Sequence, residues 1–155
     1  NSNERYRLWT NSSSRVFNYG GSLGLKYLNW FKSFNINANL SYAKLNRKET
    51  QDGLEESFNT PEFMVNASLS NPRIFNQVGF NLTWRWQSAF LWQSFIANGH
   101  VPAYSTLDGQ LSFNVPDWKI SVKMGGSNLL NRYYLPFIAG PNIGGHYYLS
   151  IKYGL

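Results

Sequence analysis

The chain contains no cysteine, and charged residues make up only 14% of its 155 residues. Without cysteine there is no disulfide framework, no thiolate chemistry and no cysteine-based structural zinc site. A soluble domain usually carries about 25% charged residues, so the low share predicts that much of the surface does not face water. No run of 18 apolar residues occurs, which excludes a transmembrane helix on hydropathy.

Aromatic residues are abundant, at 17%, and the net charge is +6. The basic residues are scattered, with no basic run and no recognition helix, so we do not expect nucleic-acid binding. The sequence begins at Asn1 without a signal peptide. Because an exported protein needs such a signal, we expect a chain that is mature, trimmed or the tail of something longer.

A two-residue alternation of apolar and polar side chains recurs along the chain and predicts strands with one apolar face. In one such run Phe34, Ile36, Ala38, Leu40 and Tyr42 alternate with Asn and Ser. No segment shows a sustained helical period. The alternation predicts eight strands, near residues 5–11, 16–29, 34–46, 62–70, 78–92, 103–115, 118–130 and 145–155.

The polar sides of these strands carry mainly Asn, Ser and Gly, where a soluble sheet usually has Lys, Glu and Thr. Outer-membrane barrels turn an apolar face to lipid and a polar face to a wet lumen, and they alternate short periplasmic turns with longer outer loops. The predicted connections alternate in the same way. Those at 30–33, 71–77 and 116–117 are short, and those at 48–61, 93–102 and 131–144 are long. The sequence therefore predicts an all-β fold, a transmembrane antiparallel β-barrel.

Three segments in the last third of the chain carry a resemblance to a known family. They are "AYSTLDGQLSF", which contains Asp108, "GGSNLLNRYY" at 125–134 and "GGHYYLSIKYGL" at 144–155. In this order they resemble the closing strands of TonB-dependent outer-membrane transporters, and "AGPNIGGHYYLS" is most similar to the Bacteroidetes type. The upstream segments "NYGGSLGLKY", "LSYAKL" and "NTPEFMVNASLS" are similar too, so the resemblance covers essentially the whole chain. The family often ends in an aromatic residue, whereas this chain ends in Leu155.

The resemblance implies a barrel of about 22 strands with a plugged lumen, of which residues 1–155 form the C-terminal segment, without the plug domain and the TonB-contacting segment. It implies TonB-dependent uptake of a scarce nutrient, such as an iron chelate, haem, cobalamin or a glycan, across the outer membrane of a Gram-negative bacterium. The implied partners are outer-membrane lipid, the protein's own plug domain and remaining strands, the TonB complex through a missing N-terminal segment, and a surface lipoprotein. No cofactor is expected.

The charges on the polar sides support a wide lumen independently of the resemblance. Eight strands closed on themselves leave an interior that side chains fill, and buried charges need partners. The inward positions would be Lys26, Arg85, Asp108, Lys119, Lys123 and Lys152. With a single acid among them, they suit a wide wet lumen, and Arg85, Asp108, Lys123 and Lys152 are candidate lumen or plug contacts.

Two further sets of residues are candidates for function. The candidate substrate-facing residues of the outer loops are Trp92, His100, Tyr133, Tyr134, Asn142 and His146. The predicted membrane girdle comprises Trp30, Trp84, Trp86, Trp118, Tyr147 and Tyr153. Loop histidines without a second ligand at metal spacing are more often solvated than metal-bound, so no metal site is predicted. The outer tyrosines and Trp92 either line a vestibule or belong to the outer girdle.

The remaining motifs favour structural roles. Asp52, Glu55 and Glu56 lack a calcium-binding pattern and read as solvated loop charge. Gly125 and Gly126 precede no helix, which excludes a P-loop, and they are expected to end a strand and ease a bend or a close plug contact. Nothing orients a general base, so the chain is not expected to be an enzyme. Two alternatives stay open: a self-contained small outer-membrane barrel with a structural or adhesive role, and a soluble carbohydrate-binding β-sandwich.

Overall fold

A computed structural model of the chain describes residues 16–31, 33–47, 58–94 and 96–154. The strands in this part are β1 Val16–Trp30, β2 Phe34–Arg47, β3 Phe63–Phe75, β4 Val78–Gln87, β5 Phe90–Trp92, β6 Gly99–Val101, β7 Tyr104–Val115, β8 Ile120–Ser127 and β9 His146–Tyr153. A short 3-10 turn, Pro116–Trp118, separates β7 from β8. The described residues contain no helix with the length and apolarity needed to span a membrane. The predicted strand 5–11 and the acidic cluster Asp52, Glu55 and Glu56 lie outside the described residues.

Seven of the strands form one antiparallel sheet in the order β1-β2-β3-β4-β7-β8-β9. Neighbours in the sheet are also neighbours in sequence, except that a two-stranded ribbon, β5–β6, is inserted between β4 and β7. The predicted all-β, antiparallel architecture is confirmed. Among the described strands, β1 and β9 each have a partner on one side only, so these strands form an open sheet that does not close on itself.

The register gives the sheet two continuous faces, because residues paired across antiparallel strands point the same way. One row of paired residues consists of Tyr27, Ile36, Leu69, Leu82, Gly109, Gly126 and Tyr147. The adjacent row consists of Lys26, Asn37, Ser68, Thr83 and Asp108. We call the side of the first row the apolar face and the side of the second the polar face.

The apolar face is largely uncovered. Leu23 is 74% exposed and Ile151 is 67% exposed, and Val101 in the small ribbon is the one fully buried apolar side chain among the described residues. A soluble sandwich needs a second sheet packed about 10 Å away on this face, and the described strands supply none. Apolar side chains in this arrangement are stable where they meet hydrocarbon instead of water.

The rows of paired residues slant across the sheet. Tyr27 lies near the short-turn end of β1, whereas Tyr147, in the same row, lies at the long-loop end of β9. A sheet that curls into a barrel needs this stagger, because its strands must tilt relative to the barrel axis. The wall is therefore inclined in the manner that closure requires.

Three of the predicted strands had wrong boundaries. The strand expected over 78–92 ends at Gln87, because the backbone of Ser88 bonds to Phe63 O (3.0 Å) while its hydroxyl accepts from Phe63 N (3.1 Å). The chain then leaves the sheet, and Phe90 and Trp92 belong to the ribbon.

The strand expected over 118–130 begins at Ile120 and ends at Ser127. Lys119 is a turn residue in the left-handed conformation (φ 51°) whose N–H donates to Pro116 O, so it is not an inward strand position. Gly125 and Gly126 lie inside β8 instead of ending it, and β3 continues to Phe75, beyond its expected end at residue 70.

Candidate functional site

The long connections gather at one end of the sheet, where the β5–β6 ribbon packs on the 128–145 connection. The ring of Trp92 lies 5.5 Å from that of Phe137 and 6.4 Å from that of Phe90. The Trp92 Nε1 atom is buried, and no described residue is its hydrogen-bond partner. Trp92, predicted to face substrate, is thus an anchor between two loops, with an indole donor whose burial costs free energy while it lacks an acceptor.

Tyr134 and Tyr133 have different surroundings although both were predicted to face substrate. Tyr134 stacks on Tyr104 with ring centroids 4.2 Å apart, and its backbone pairs with Ile143 in both directions, at 2.9 and 3.2 Å. Tyr133 is 71% exposed. Tyr134 therefore fixes the loop to the wall, and Tyr133 is the side chain of the two that is free to meet a ligand.

The remaining predicted loop residues lie on separate elements. His100 is exposed on β6, Asn142 is exposed in the 128–145 connection, and His146 is the exposed first residue of β9 on the polar face, opposite Ser127. The described part of the chain contains no group of three or more His, Cys, Asp or Glu residues that could hold a metal ion. A substrate role for these three residues stays a prediction.

A staple between two outer connections was not anticipated from the sequence. The Asn59 side chain donates to Gln93 O (2.9 Å) and accepts from Gln93 N (2.7 Å), so it hydrogen-bonds to both backbone groups of Gln93. Asn59 adopts a left-handed conformation, with φ 49°. Asparagine is among the non-glycine residues most often found there, which is the sequence signal that could have indicated its place.

On the polar face, Arg85 and Asp108 form an ion pair of 2.8 Å between Nη2 and Oδ2. Arg85 lies opposite Thr106, so Asp108 is its diagonal neighbour on the next strand. The other carboxylate oxygen of Asp108 accepts from Asn128 N at 2.9 Å. The Asp108 side chain is 15% exposed and that of Arg85 is 58% exposed. Asp108 therefore links the polar face of the wall to the base of the 128–145 connection.

The motif "NLLN" at 128–131 organises that base. The buried Asn128 side chain donates to Arg132 O (2.8 Å) and accepts from Arg132 N (3.2 Å), while the Asn131 side chain accepts from Gly145 N (2.8 Å). Both asparagines have left-handed backbones, with φ 50° and 48°. Between them, Leu129 donates its N–H to Leu107 O, extending the pairing with β7 beyond the end of β8. The strand alternation could not reveal these roles, because they depend on turn geometry.

The two sides of the wall hold this base differently. Asn128 bonds to Asp108 on the polar face, whereas the side chain of Leu129 lies over Gly109 and Gly126, which belong to the apolar row. A Cβ at Gly109 would come within 2.7 Å of Leu129 Cδ1. The absence of side chains at Gly109 and Gly126 thus makes room for Leu129. The 128–145 connection therefore contacts the sheet on both faces.

The other two candidate lumen contacts, Lys123 and Lys152, lie on the polar face of β8 and β9. Lys123 is opposite Ser150, and Lys152 is opposite Ser121, so the lysines are diagonal neighbours. Both are exposed, and within the described residues neither forms an ion pair. Tyr148, on the same face, lies across Gly125 and donates its hydroxyl to Gln110 Oε1 at 2.6 Å.

The predicted girdle residues occupy both ends of the sheet. Trp30 ends β1 and Trp118 ends the 3-10 turn, both at the short-turn end and more than half exposed. The other members point to the apolar face of their strands: Trp84, Trp86, Tyr147 and Tyr153. Aromatic side chains at these positions suit the two interfaces of a bilayer.

Removing the Asp108 carboxylate is expected to loosen the base of the 128–145 connection. In an Asp108→Ala variant of the full protein, the backbone N–H of Asn128 loses its carboxylate acceptor. Hydrogen exchange at that N–H should therefore accelerate by about tenfold or more. Hydrogen exchange read by mass spectrometry over 128–132 measures this. Arg85→Gln is the control, because it removes the ion pair but keeps the Asn128 bond. Equal acceleration in both variants would contradict the assignment.

Comparison with known protein families finds no match, and no curated protein matches the sequence. Among solved structures, the FrpB iron transporter from Neisseria meningitidis (F3-3 variant) is similar to this chain, with a TM-score of 0.69 over 90% of it and 16% sequence identity. The chain spans 24% of the length of that transporter. At this identity the likeness concerns the fold: the chain has the all-β, barrel-wall fold of a segment of that transporter.

Proposed function

We propose that this chain is a wall segment of a TonB-dependent outer-membrane transporter that takes up a scarce nutrient. The observation that carries the proposal is the inverted sheet, whose uncovered apolar face suits lipid and whose polar face, lined mainly by Asn and Ser on β2 and β3, suits water. The fold shared with an iron transporter supports transport as the purpose of that wall.

The structural features divide the work of such a segment. The apolar face meets outer-membrane lipid, and the polar face lines the lumen, where Arg85, Asp108, Lys123 and Lys152 can contact a plug domain. The joined outer connections form a rim around the entrance, and Tyr133 is exposed there. The edges of β1 and β9 pair with further strands of the barrel, because an unpaired strand edge in hydrocarbon leaves backbone groups without hydrogen bonds.

The finer parts of the proposal rest on the resemblance and on the similar structure. An iron chelate is the substrate that the similar structure favours. Haem, cobalamin and glycans are the other candidate substrates. Energy coupling would pass through a plug domain and a TonB-contacting segment outside these 155 residues. The outer membrane of a Gram-negative bacterium, a Bacteroidetes origin and a surface lipoprotein partner are further expectations of the resemblance.

Uptake by cells with and without the full-length protein tests the proposal. The producing bacterium and a deletion strain are supplied in turn with radiolabelled ferric chelate, haem, cobalamin and oligosaccharide, with and without functional TonB. We expect one of these labels to accumulate only when both the protein and TonB are present. Recovery of the protein in a soluble fraction, or equal accumulation in the deletion strain for every label, would refute it.

A further inference from the structure

The polar face carries more positive charge than its own acid can balance. Among the strand side chains described on this face, the charged ones are Lys26, Arg85, Asp108, Lys123 and Lys152. Arg85 and Asp108 neutralise each other at 2.8 Å. The three lysines have no ion-pair partner within the described part of the chain. The excess therefore lies on the lysines.

Two of these lysines converge. In the β8–β9 ladder, Lys123 faces Ser150 and Lys152 faces Ser121, which makes the lysines diagonal neighbours on one face. Long side chains reach each other across such a diagonal. The like charges of the two ammonium groups repel each other, and an anion bound between them would relieve that repulsion.

Hydroxyl and amide groups surround the pair. Ser112 of β7 lies beside Lys123, while Ser121, which bonds to Asn114 Oδ1 at 2.8 Å, lies beside Lys152. Ser150 completes the set on β9. Because the Ser121 hydroxyl already donates to Asn114, the two ammonium groups and the hydroxyls of Ser112 and Ser150 provide the donors that a carboxylate or phosphate group accepts.

We propose that Lys123 and Lys152 form a binding station for an anionic cargo that bears carboxylate or phosphate groups. This deepens the proposed transport function and rests on it, since it names the chemical class of the substrate. Lys26 adds an isolated positive charge at the far side of the same face. Lysines distributed along a water-filled lumen attract anions through their electrostatic field.

The position of the lysine pair along the strands indicates the step of transport at which it would act. Lys152 is next to Tyr153, the last residue of β9, at the short-turn end, and the outer connections are at the other end. A cargo bound here has already passed the outer rim. The station therefore serves passage through the lumen and not the first capture by the outer loops.

Binding of small oxyanions to the full-length purified protein in detergent tests the proposal. Ferric citrate serves as the carboxylate probe and pyrophosphate as the phosphate probe, in calorimetric titrations at low ionic strength. We expect one or both probes to bind, Lys123→Gln and Lys152→Gln each to weaken binding by about tenfold, and added salt to weaken it further. Lys26→Gln is the matched control, because it removes an isolated lysine from the same face, and binding should change less than threefold.

Several results would overturn the inference. One is that the wild type binds neither probe. Another is that the Lys123→Gln/Lys152→Gln double variant binds the probes as well as the wild type does. Carbodiimide cross-linking supplies a further check, since it joins a lysine to a carboxylate in contact with it. A cross-link from Lys123 or Lys152 to an acidic residue of the same protein would show that a protein carboxylate fills the station. Uptake of a neutral nutrient that needs the protein and TonB but neither lysine would refute the anionic cargo while leaving the transport function intact.

Discussion

Replacing Leu69 by arginine is expected to destabilise the folded, membrane-inserted protein by about 2–4 kcal/mol, the cost of a basic side chain near the bilayer midplane on the lipid face of a barrel. Leu69 lies near the middle of β3, between Ile36 and Leu82 on the apolar face. An arginine there would have to extend far along the wall to reach water. The prediction tests the central feature of the fold, the assignment of its two faces.

The adjacent residue provides a matched control. Ser68 lies on the polar face between Asn37 and Thr83, so Ser68→Arg adds the same side chain to the same strand but turns it toward water. Folding into lipid vesicles followed by urea titration compares the two variants of the full-length protein. If Ser68→Arg were the more damaging change, the faces would be assigned the wrong way round.

Gly126→Ala is expected to destabilise the wall by about 1–3 kcal/mol, the usual cost of overpacking a close contact. A Cβ on Gly126 would lie 2.5 Å from His146 O and 2.8 Å from the ring of Tyr147. The first contact is with backbone of the neighbouring strand, so relief requires β8 and β9 to move apart. The Leu129 side chain, 3.3 Å away, closes the third side.

The control for this substitution is Gly21→Ala in β1. Gly21 also belongs to the sheet, opposite Tyr42, yet a Cβ added there meets no atom within 4 Å. Alanine reduces the backbone entropy of the unfolded chain relative to glycine, so stability should stay the same or rise slightly. The urea midpoint of the folded protein measures both variants. An equal loss of stability at both positions would mean that the Gly126 contacts are not the cause.

Most of the sheet was predictable because one physical rule governs it. Alternation along a strand sets the face of every side chain, and it placed Ile36, Leu69 and Leu82 on one side and Asn37 and Ser68 on the other, as the register shows. Apart from the first, which lies outside the described residues, each predicted strand corresponds to a strand of the sheet. The predicted end of β4 failed at Ser88, where the alternation of side chains continues but the strand stops. There the Ser88 hydroxyl, and not a backbone carbonyl, accepts from Phe63 N.

The candidate site was less predictable, since alternation says nothing about what a loop residue touches. Trp92 and Tyr134 were predicted to face substrate, and the structure shows that each also packs against another aromatic ring. Asn59, Asn128 and Asn131 were not chosen, although all three position loops through left-handed turns. Asn128 bonds to Arg132 within a local turn, whereas Asn131 and Asn59 bond to residues 14 and 34 positions away. The alternation along strands displays neither kind of contact.

The alternation of the two faces also protects the alignment of the strands. If β3 slipped by one residue against β2 and β4, all its apolar side chains would turn toward water and all its polar ones toward hydrocarbon, because the side-chain period is two residues. In the proposed membrane setting the slip costs free energy on both faces, because hydrocarbon disfavours the polar side chains and water disfavours the apolar ones. A wall in the proposed bilayer is therefore held in register by the two solvents around it as well as by the hydrogen bonds between its strands.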